Sequence, residues 1–333
     1  MKAYRIFSPA PIETNPIFRA DLPIPEPGPG QVRIRVRACG VCHTDLHIAE
    51  GEIHPPVFPV TLGHQVVGVV DTIGPGSGAR VGVPWLHWAC GICEFCRRGE
   101  ENLCPDARFT GFSVDGGYAE YMLADVRYLL PIPGGISDEQ AAPLLCAGIV
   151  GYRALKKAEI RPGERVGLLG FGASAHLCLQ ILRGWGCEVL VFTRSKLHQD
   201  HARELGAVWA GSVSDGQGIG GRAGKFLDKA VIFAPAGELI PFALEKIRPG
   251  GIVSVNAIHM SNIPAFPYAS LWGERTLRSV ANATNADGLE FLSLAAQMGL
   301  YSTVQSYPLA EANRALDDLK HSRFNGEAVL SVS

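Results

Sequence analysis

The hydrophobic and polar residues of this chain follow two different patterns, and the pattern changes near residue 145. Before that point, short alternating runs such as 31–39 (QVRIRVRAC) and 66–74 (VVGVVDTIG) are separated by glycine and proline, and 16 of the 23 prolines lie there. Alternation with a period of two, interrupted by turn residues, is typical of antiparallel β structure. We therefore predict a mainly β first part with many turns.

After residue 145, buried strands alternate with amphipathic helices. Strands are predicted at 165–170, 188–193, 228–234 and 250–257, with a helix at 173–186 and another that ends at 204–207. Strands and helices in alternation predict a parallel sheet with right-handed crossovers. The glycine-rich segment 214–225 lacks the spacing of a P-loop, so we predict a loop between a helix and a strand there.

Composition and charge narrow the range of possible functions. The 333 residues are 47% hydrophobic and carry a formal net charge of −2. No basic surplus is available to neutralise phosphates, so we predict no nucleic-acid partner. The N-terminus lacks the apolar segment of a signal peptide, and no apolar run approaches the roughly 18 residues of a membrane-spanning helix. We therefore expect a cytoplasmic protein without a membrane partner, in which thiols stay reduced.

Four of the nine cysteines lie in one charged segment. Cys90, Cys93, Cys96 and Cys104 are spaced C-x2-C-x2-C-x7-C, and such short spacings let one turn present several thiolates to a tetrahedral zinc ion. Four chance surface cysteines are the alternative, but exposed thiols at this spacing would be reactive. Because four protein ligands leave no position for a substrate, we predict a structural zinc in a lobe at about 88–106.

The turn after the strand at 165–170 has the sequence GFGASA and fits the pattern G-x-G-x-x-G/A. Gly170 allows a tight turn, Gly172 lets the backbone approach a pyrophosphate, and Ala175 lets helix and strand pack closely. The helix N-terminus at Ala173 and Ser174 faces the phosphates. Since this turn follows a strand and opens a helix, a dinucleotide-binding site is favoured over a chance glycine turn.

A dinucleotide-binding fold implies hydride transfer, which needs a group that polarises the substrate. Cys42, His64 and Cys146 together make a three-ligand zinc set with an open fourth position, the arrangement of a catalytic zinc. Taken singly, Cys146 fits an ordinary core residue and His64 a hydrogen-bonded core histidine. The combination favours the metal site.

These motifs, in this order, resemble those of the zinc-dependent alcohol dehydrogenases of the medium-chain dehydrogenase/reductase superfamily, and the similarity runs essentially end to end. The markers are CGVCHTDLH, GHQVVG, CGICEFC…C, LLCAG and the glycine-rich turn. The resemblance implies a GroES-like, mainly β catalytic domain (1–145 and 286–333) and a Rossmann coenzyme domain with a doubly wound parallel sheet (146–285). It also implies an active site in the cleft between these domains and a homo-oligomer, either a tetramer or a dimer.

The resemblance implies a role for each clustered residue. Cys42, His64 and Cys146 match the catalytic zinc ligands, Asp45 the carboxylate that orients His64, Thr44 the start of a proton relay, His47 its end, and His43 a contact to the coenzyme pyrophosphate. Zinc would lower the pKa of the alcohol while hydride passes to the nicotinamide. Ile53 and Trp85 match positions of the substrate pocket, and Ile53 in place of a tryptophan suggests room for substrates longer than ethanol. Plain packing is the alternative for both.

Gln65 departs from the family pattern, which is G-H-E-x-x-G where this chain has GHQVVG. In some relatives that glutamate occupies the fourth zinc position when the site is empty. An amide oxygen is a weaker ligand than a carboxylate, so ligand exchange assisted by residue 65 is in doubt. Catalysis is not, because the three other ligands are intact.

The end of the second coenzyme-domain strand bears on coenzyme choice. NAD-dependent enzymes normally carry an acid there, but this strand runs into Thr193, Arg194 and Ser195. A guanidinium suits phosphate, and no carboxylate repels a 2′-phosphate. We expect NADP(H) to be accepted and preferred over NAD(H), with Arg194 against the adenosine phosphate. The alternative is that Arg194 stacks on adenine and leaves NAD(H) usable or even favoured.

The function predicted is reversible hydride transfer between a primary or secondary alcohol, or its aldehyde or ketone, and a nicotinamide coenzyme, with two zinc ions per subunit. One alternative is a zinc-independent reductase of quinones or enones, but such enzymes lack the Cys/His/Cys set and the cysteine lobe. The other is a non-catalytic binding role, against which Thr44 and His47 argue.

Overall fold

The computed structural model describes residues 1–72, 74, 76–220 and 225–332. The chain divides into two compact units, which we call unit 1 (Met1–Ile149 with Asn282–Ser333) and unit 2 (Val150–Ala281). The sequence analysis placed the boundaries at 145 and 285. The assignment of a catalytic role to one unit and a coenzyme role to the other stays a prediction.

The regular elements are short strands and helices, numbered in chain order. The strands are β1 (Lys2–Ile6), β2 (Ile17–Asp21), β3 (Gln31–Val41), β4 (Val60–Thr61), β5 (Val66–Val70), β6 (Arg80–Val83), β7 (Leu86–Trp88), β8 (Arg108–Phe109), β9 (Tyr121–Asp125), β10 (Leu130–Pro131), β11 (Arg165–Leu169), β12 (Glu188–Phe192), β13 (Trp209–Gly211), β14 (Leu227–Ile232), β15 (Ile247–Val255), β16 (Thr276–Ser279), β17 (Val304–Pro308) and β18 (Glu327–Ser331). The α-helices are α1 (His43–Glu50), α2 (Glu94–Arg97), α3 (Asp138–Ala141), α4 (Ala147–Lys157), α5 (Ala173–Gly184), α6 (Lys196–Glu204), α7 (Leu239–Lys246), α8 (Tyr268–Leu271), α9 (Asn285–Met298) and α10 (Ala312–Lys320). Single 3₁₀ turns occur at Ile12–Thr14, Glu101–Leu103, Val126–Tyr128, Pro143–Leu145, Asp215–Gly218 and Leu309–Glu311.

Unit 1 is built on a mixed sheet with the strand order β10-β6-β5-β3-β18-β17, in which β9 also pairs with β3. Three smaller strands form a second sheet, β2-β1-β4, and β7 pairs with β8. Along β3 the side chains of Ile34 and Val36 are buried while those of Arg35 and Arg37 are exposed, so the predicted period of two is present. Apolar side chains of β3, β5, β6 and β18 fill the core of this unit.

The strand β18 places the C-terminal segment beside the middle of unit 1. It runs antiparallel to β3, with Ala328 opposite Val41 and Leu330 opposite Cys39, and parallel to β17. Glu327, the first residue of β18, therefore lies across from the position at which β3 ends and α1 begins. This pairing brings residues from the two ends of the chain to one place.

Unit 2 is a parallel sheet with the strand order β13-β12-β11-β14-β15-β16, which is the 3-2-1-4-5-6 order of doubly wound dinucleotide-binding folds. The predicted strands at 165–170, 188–193, 228–234 and 250–257 correspond to β11, β12, β14 and β15, and the helix at 173–186 to α5. The α/β fold class predicted from the alternation of elements is confirmed.

Two details of the sequence prediction need correction. The sequence predicts that the glycine-rich segment 214–225 is a loop between a helix and a strand, but a short strand, β13, lies between α6 and this segment. Its three residues end in glycine, too few to show a period of two. Within the segment, Asp215–Gly218 form a 3₁₀ turn, and residues 221–224 lie outside the described residues. The run 66–74 also forms a strand only as far as Val70, and residue 73 is not described.

A membrane span requires a helix of sufficient length and sufficient apolarity. Among the described residues, no helix meets both requirements.

Candidate metal centres and coenzyme site

The four cysteines of the segment 90–104 come together at one point. The Sγ atoms of Cys90, Cys93, Cys96 and Cys104 all lie within 4.8 Å of one another, with Cys90 3.6 Å from Cys104 and 3.9 Å from Cys96. Four thiols at this spacing can hold one tetrahedral zinc ion and leave no open position.

Backbone amides favour the thiolate form of Cys90, whereas burial raises the pKa of Cys96 and of Cys104. The N–H of Cys93 donates to Cys90 Sγ at 3.4 Å, and the N–H of Cys96 donates to Cys93 Sγ at 3.5 Å, because Cys93 caps the N-terminus of α2. Hydrogen bonds from the N–H groups of Ile92 and Cys93 lower the pKa of Cys90 to about 7. Donors aimed at sulfur stabilise the charged form that binds metal.

The second cluster consists of Cys42, His64 and Cys146. Their donor atoms also lie within 4.8 Å of one another, although each comes from a different element. Cys42 caps the N-terminus of α1, His64 precedes β5, and Cys146 follows the 3₁₀ turn Pro143–Leu145. Two thiolates and one imidazole are a donor set suited to zinc, and three ligands leave a fourth position for a substrate.

The buried carboxylate of Asp45 fixes two of these three residues. It accepts hydrogen bonds from the backbone N–H of Cys42 (3.0 Å) and of Gly63 (3.0 Å), and its Oδ1 lies 3.3 Å from Nδ1 of His64. With the Nδ1–H directed at Asp45, Nε2 of His64 is left to bind a metal. Gly63 has a φ of +94° and a Cβ there would meet the Tyr118 ring at 2.4 Å, so only glycine fits beside this carboxylate.

The electrostatics of this cluster follow from its burial. Burial opposes protonation of His64, but the charge of Asp45 and the hydrogen bond to it prevail and raise the pKa of His64 to about 10. Hydrogen bonding to the Cys146 thiol lowers the pKa of Cys42 well below its usual range, with a further contribution from His64. A metal ion that binds here replaces protons.

Thr44 and His47 lie three positions apart on α1 and so share one side of the helix. Thr44 is buried, and its Oγ1 lies 3.7 Å from Cys42 Sγ. His47 is partly exposed, and its Nδ1 is hydrogen-bonded to the carboxylate of Glu52. His43 is exposed at the first position of α1, with its ring centroid 6.3 Å from that of His47.

Trp85 lies against the metal-binding histidine. Its ring is 4.9 Å from that of His64 in an edge-to-face arrangement and stacks on Phe109 at 5.1 Å. A tilted contact to Phe112 at 5.7 Å completes an aromatic group that the sequence analysis did not find beyond Trp85 itself. Ile53, in contrast, is a partly buried residue packed against the core of unit 1.

Gln65 and Glu327 are two buried polar residues near the same cluster. Both are 2% exposed or less, and none of their side-chain oxygen and nitrogen atoms makes a hydrogen bond within the described part of the chain. Burial, with the charge of Cys42, raises the pKa of Glu327 well above its usual range, and the nearby Gln65 amide lowers it. Sequence reasoning missed Glu327, because no local motif marks a residue that strand pairing brings in from the other end of the chain.

The glycine-rich turn of unit 2 follows β11. Gly170 has a φ of +93°, and a Cβ there would lie 2.7 Å from the backbone nitrogen of Ala234. Gly172 precedes α5 and has no atom within 4 Å of where a Cβ would be, so open space lies above it. Ala175 is fully buried under the first turn of α5. No side chain caps this helix, so its N–H groups at Ala173 and Ser174 remain available to an anion.

The segment after β12 carries a side chain suited to phosphate. Arg194 is exposed, and it forms no ion pair with any residue that the structure describes. Lys196 is instead paired with Asp200 at 2.7 Å. Ser195 caps α6 by accepting from the His198 N–H, and the Thr193 carbonyl accepts from Gln199. No carboxylate belongs to residues 193–195, as predicted from the sequence.

Comparison with known proteins agrees with this geometry. Residues 28–134 match the alcohol dehydrogenase GroES-like domain family. The chain is 42% identical to a probable alcohol dehydrogenase, AdhA, of Mycobacterium tuberculosis, covering 100% of this chain and 97% of that protein. It is 36% identical to an alcohol dehydrogenase of Geobacillus stearothermophilus, covering 89% of this chain and 90% of the relative.

Solved structures show the same fold. A cinnamyl alcohol dehydrogenase from Sorghum bicolor superposes with a TM-score of 0.90 at 26% identity, covering 99% of this chain and 97% of the other. The alcohol dehydrogenase of the archaeon Aeropyrum pernix gives a TM-score of 0.87 at 28% identity, covering all of both chains.

The two glycines of the turn provide a matched pair of substitutions. Gly172→Ala meets no atom of the protein, so we expect it to fold normally and to weaken coenzyme binding roughly tenfold, about 1.4 kcal/mol, since the new methyl group points into the open space. Gly170→Ala introduces a strained φ and a contact with Ala234, which costs about 1–3 kcal/mol and lowers the thermal unfolding midpoint. Calorimetry and fluorescence titration with NAD(P)H measure the two effects. Unchanged coenzyme affinity in a folded Gly172→Ala would contradict the assignment.

Proposed function

This chain belongs to the zinc-dependent alcohol dehydrogenases of the medium-chain dehydrogenase/reductase superfamily, and we propose that it transfers hydride reversibly between a primary or secondary alcohol and a nicotinamide coenzyme. The observation that carries this proposal is the convergence of Cys42, His64 and Cys146 on one point with a carboxylate behind the histidine. Three ligands with an orienting acid are what a catalytic zinc site needs, whereas a structural site uses four.

The metal that this set would hold supplies Lewis acidity, which lowers the pKa of an alcohol hydroxyl. The chain's own residues do the rest. Cys42 and Cys146 contribute negative charge, and Asp45 keeps His64 in the tautomer that presents Nε2. Trp85 closes one side of the site with an apolar ring and limits the access of water.

Two residues of α1, Thr44 and His47, are placed to carry the proton of the alcohol. The hydroxyl of Thr44, beside Cys42, is placed to accept the proton of an alcohol. His47 lies one helical turn further on and reaches solvent, so it can release a proton at Nε2 while Glu52 holds Nδ1. Proton transfer by positioned side chains of this kind is general acid–base catalysis.

The coenzyme preferred is NADP(H), although NAD(H) binding is the alternative. The exposed guanidinium of Arg194, without an ion-pair partner in the described ranges, supports this preference, as does the absence of a carboxylate at 193–195. An arginine fork matches a phosphate in geometry as well as charge. The predicted contact of His43 with the pyrophosphate belongs to the same proposal.

Three further predictions from the sequence remain proposals. They are an aldehyde or ketone partner larger than acetaldehyde, with Ile53 and Trp85 lining the pocket; a homo-oligomeric state; and a cytoplasmic location. A zinc-independent reductase is the weaker alternative, because such enzymes lack the two clusters of metal-ligating side chains.

The two clusters predict two zinc ions per subunit with different lability. Cys42→Ala should remove one ion, leave the protein folded and abolish alcohol turnover, because the open site loses a thiolate. Cys93→Ser should lower the thermal midpoint and the yield of folded protein, because the closed site links separate turns of one lobe. Metal analysis, calorimetry and an alcohol series with and without chelator measure these outcomes.

Cys187→Ser is the matched control, since Cys187 belongs to neither cluster and its thiol donates to the carbonyl of Arg161. It should keep both ions. One zinc ion in the wild type, or normal turnover in Cys42→Ala, would show that a cluster has been assigned the wrong role.

Coenzyme choice is tested at Thr193. Thr193→Asp places a carboxylate at the end of β12, where it repels a 2′-phosphate and accepts bonds from ribose hydroxyls, so kcat/KM should shift toward NAD(H) by tenfold or more, about 1.4 kcal/mol. The measurement is the ratio of kcat/KM for the two coenzymes in both proteins. A wild type strongly selective for NAD(H), or an unchanged ratio, would refute the preference.

A further inference from the structure

Glu327 is a buried acid without a hydrogen-bond partner among the residues that the structure describes. It is 2% exposed, and neither carboxylate oxygen makes a hydrogen bond within the described ranges. A buried carboxylate without a partner is costly, and such groups are normally paired or placed beside a metal ion. Its presence in an otherwise apolar strand, EAVLS, needs an explanation.

The strand register places Glu327 at the proposed metal centre. Since Ala328 lies opposite Val41 in the β18–β3 pair, Glu327 lies beside Cys42. Its backbone N–H is held by the carbonyl of Thr303 at 2.9 Å, so the residue is fixed on the sheet. In the described part of the chain it is not among the side chains whose donor atoms lie within 4.8 Å of one another, so it lies outside the set of three ligands.

Gln65 lies against the part of the sheet that carries Glu327, because it packs on Gly40, which is paired with Val329 of β18. The Gln65 side chain packs on Gly40 so closely that a Cβ there would lie 2.9 Å from its Cδ. Against the larger opposite effect of burial, the Gln65 amide lowers the pKa of the Glu327 carboxyl. An amide N–H can donate to a carboxylate, whereas two neighbouring carboxylates repel each other. A neutral residue at 65 is therefore the complement of an acid at 327.

The positive charge that faces Glu327 is that of protonated His64, which must give up its proton when a metal ion binds. The groups that act on its carboxyl are Cys42 and Asp45 from the α1 turn and His64 with Gln65 from the loop before β5; Cys146 and Cys39 are themselves influenced by it. No lysine or arginine of the described residues is among them. A divalent ion in this pocket would be the compensating charge.

We propose that Glu327 supplies, from the C-terminal strand, the acidic group of the metal centre formed by Cys42, His64 and Cys146. It acts as a positioning residue: its charge, with the neutral side chain of Gln65 beside it, strengthens retention of a divalent metal at that site. This inference rests on the metal centre of the proposed function.

The test uses the full-length protein with Zn²⁺ or Co²⁺ as the only probe. Glu327→Gln keeps the shape and removes the charge, so the dissociation constant at the open site should rise about 10–100-fold, with a changed visible spectrum of bound Co²⁺. Glu327→Asp keeps the charge and should lie closer to the wild type. The closed four-cysteine site in the same molecule is an internal control, and Glu290→Gln, an exposed acid on α9, is the matched control.

A paired substitution tests the link to residue 65. Gln65→Glu alone places two acids in one buried pocket and should lower the thermal midpoint of protein stripped at the open site. The double variant Gln65→Glu, Glu327→Gln again has one acid in the pocket, on the other residue. It should recover the thermal midpoint of the wild type and a metal affinity within about threefold of the wild type.

The outcomes separate the two proposals. A wild type that binds only the closed-site metal would show that the metal centre itself is wrong, and this inference with it. A wild type that binds two ions, with Glu327→Gln unchanged in affinity within about twofold and in Co²⁺ spectrum, would overturn the role of Glu327 alone. A double variant whose metal affinity is no higher than that of Glu327→Gln alone would also overturn the role of Glu327.

Discussion

The site of unit 1 depends on one carboxylate. Asp45 is fully buried and accepts hydrogen bonds from the backbone of Cys42 and Gly63 while it faces Nδ1 of His64. The same oxygen atoms therefore close the first turn of α1, fix the loop before β5 and set the tautomer of the histidine. A buried charge is stable only when several donors converge on it, and here those donors are the segments that carry two of the three metal ligands.

Cys146 and strand β18 supply the parts of the site that Asp45 does not hold. Cys146 reaches the cluster from a separate 3₁₀ turn, and β18 pairs with β3 so that Glu327 lies across from Cys42. The site thus draws on segments far apart in the chain, and its geometry requires the whole of unit 1. The four-cysteine lobe contrasts with it, since its ligands lie within fifteen consecutive positions, 90–104, and need only local turns.

This contrast explains what could be predicted from the sequence. The alternation of strands and helices predicted the α/β class, which the parallel sheet of unit 2 confirms, and the ordered motifs predicted the family. Local spacing was enough to group the cysteines of the lobe, and Asp45 lies close to Cys42 in one motif. Glu327 and the Phe109–Trp85 stack carry no such signal, because they arise from strand register and packing. The strand β13 was missed since three residues are too few to show periodicity.

The insertion of unit 2 between two stretches of unit 1 has a consequence for biosynthesis. The strand β3 leaves the ribosome long before β18, which is its neighbour in the sheet, and all of residues 150–281 are made in between. Domains fold as they emerge, so unit 2 can fold while unit 1 still has an open sheet edge on β3. Cys42, His64 and Cys146 are present from early on, but Glu327 joins them only when β18 has docked. In the nascent chain, the three metal ligands should therefore be in place before Glu327 joins them.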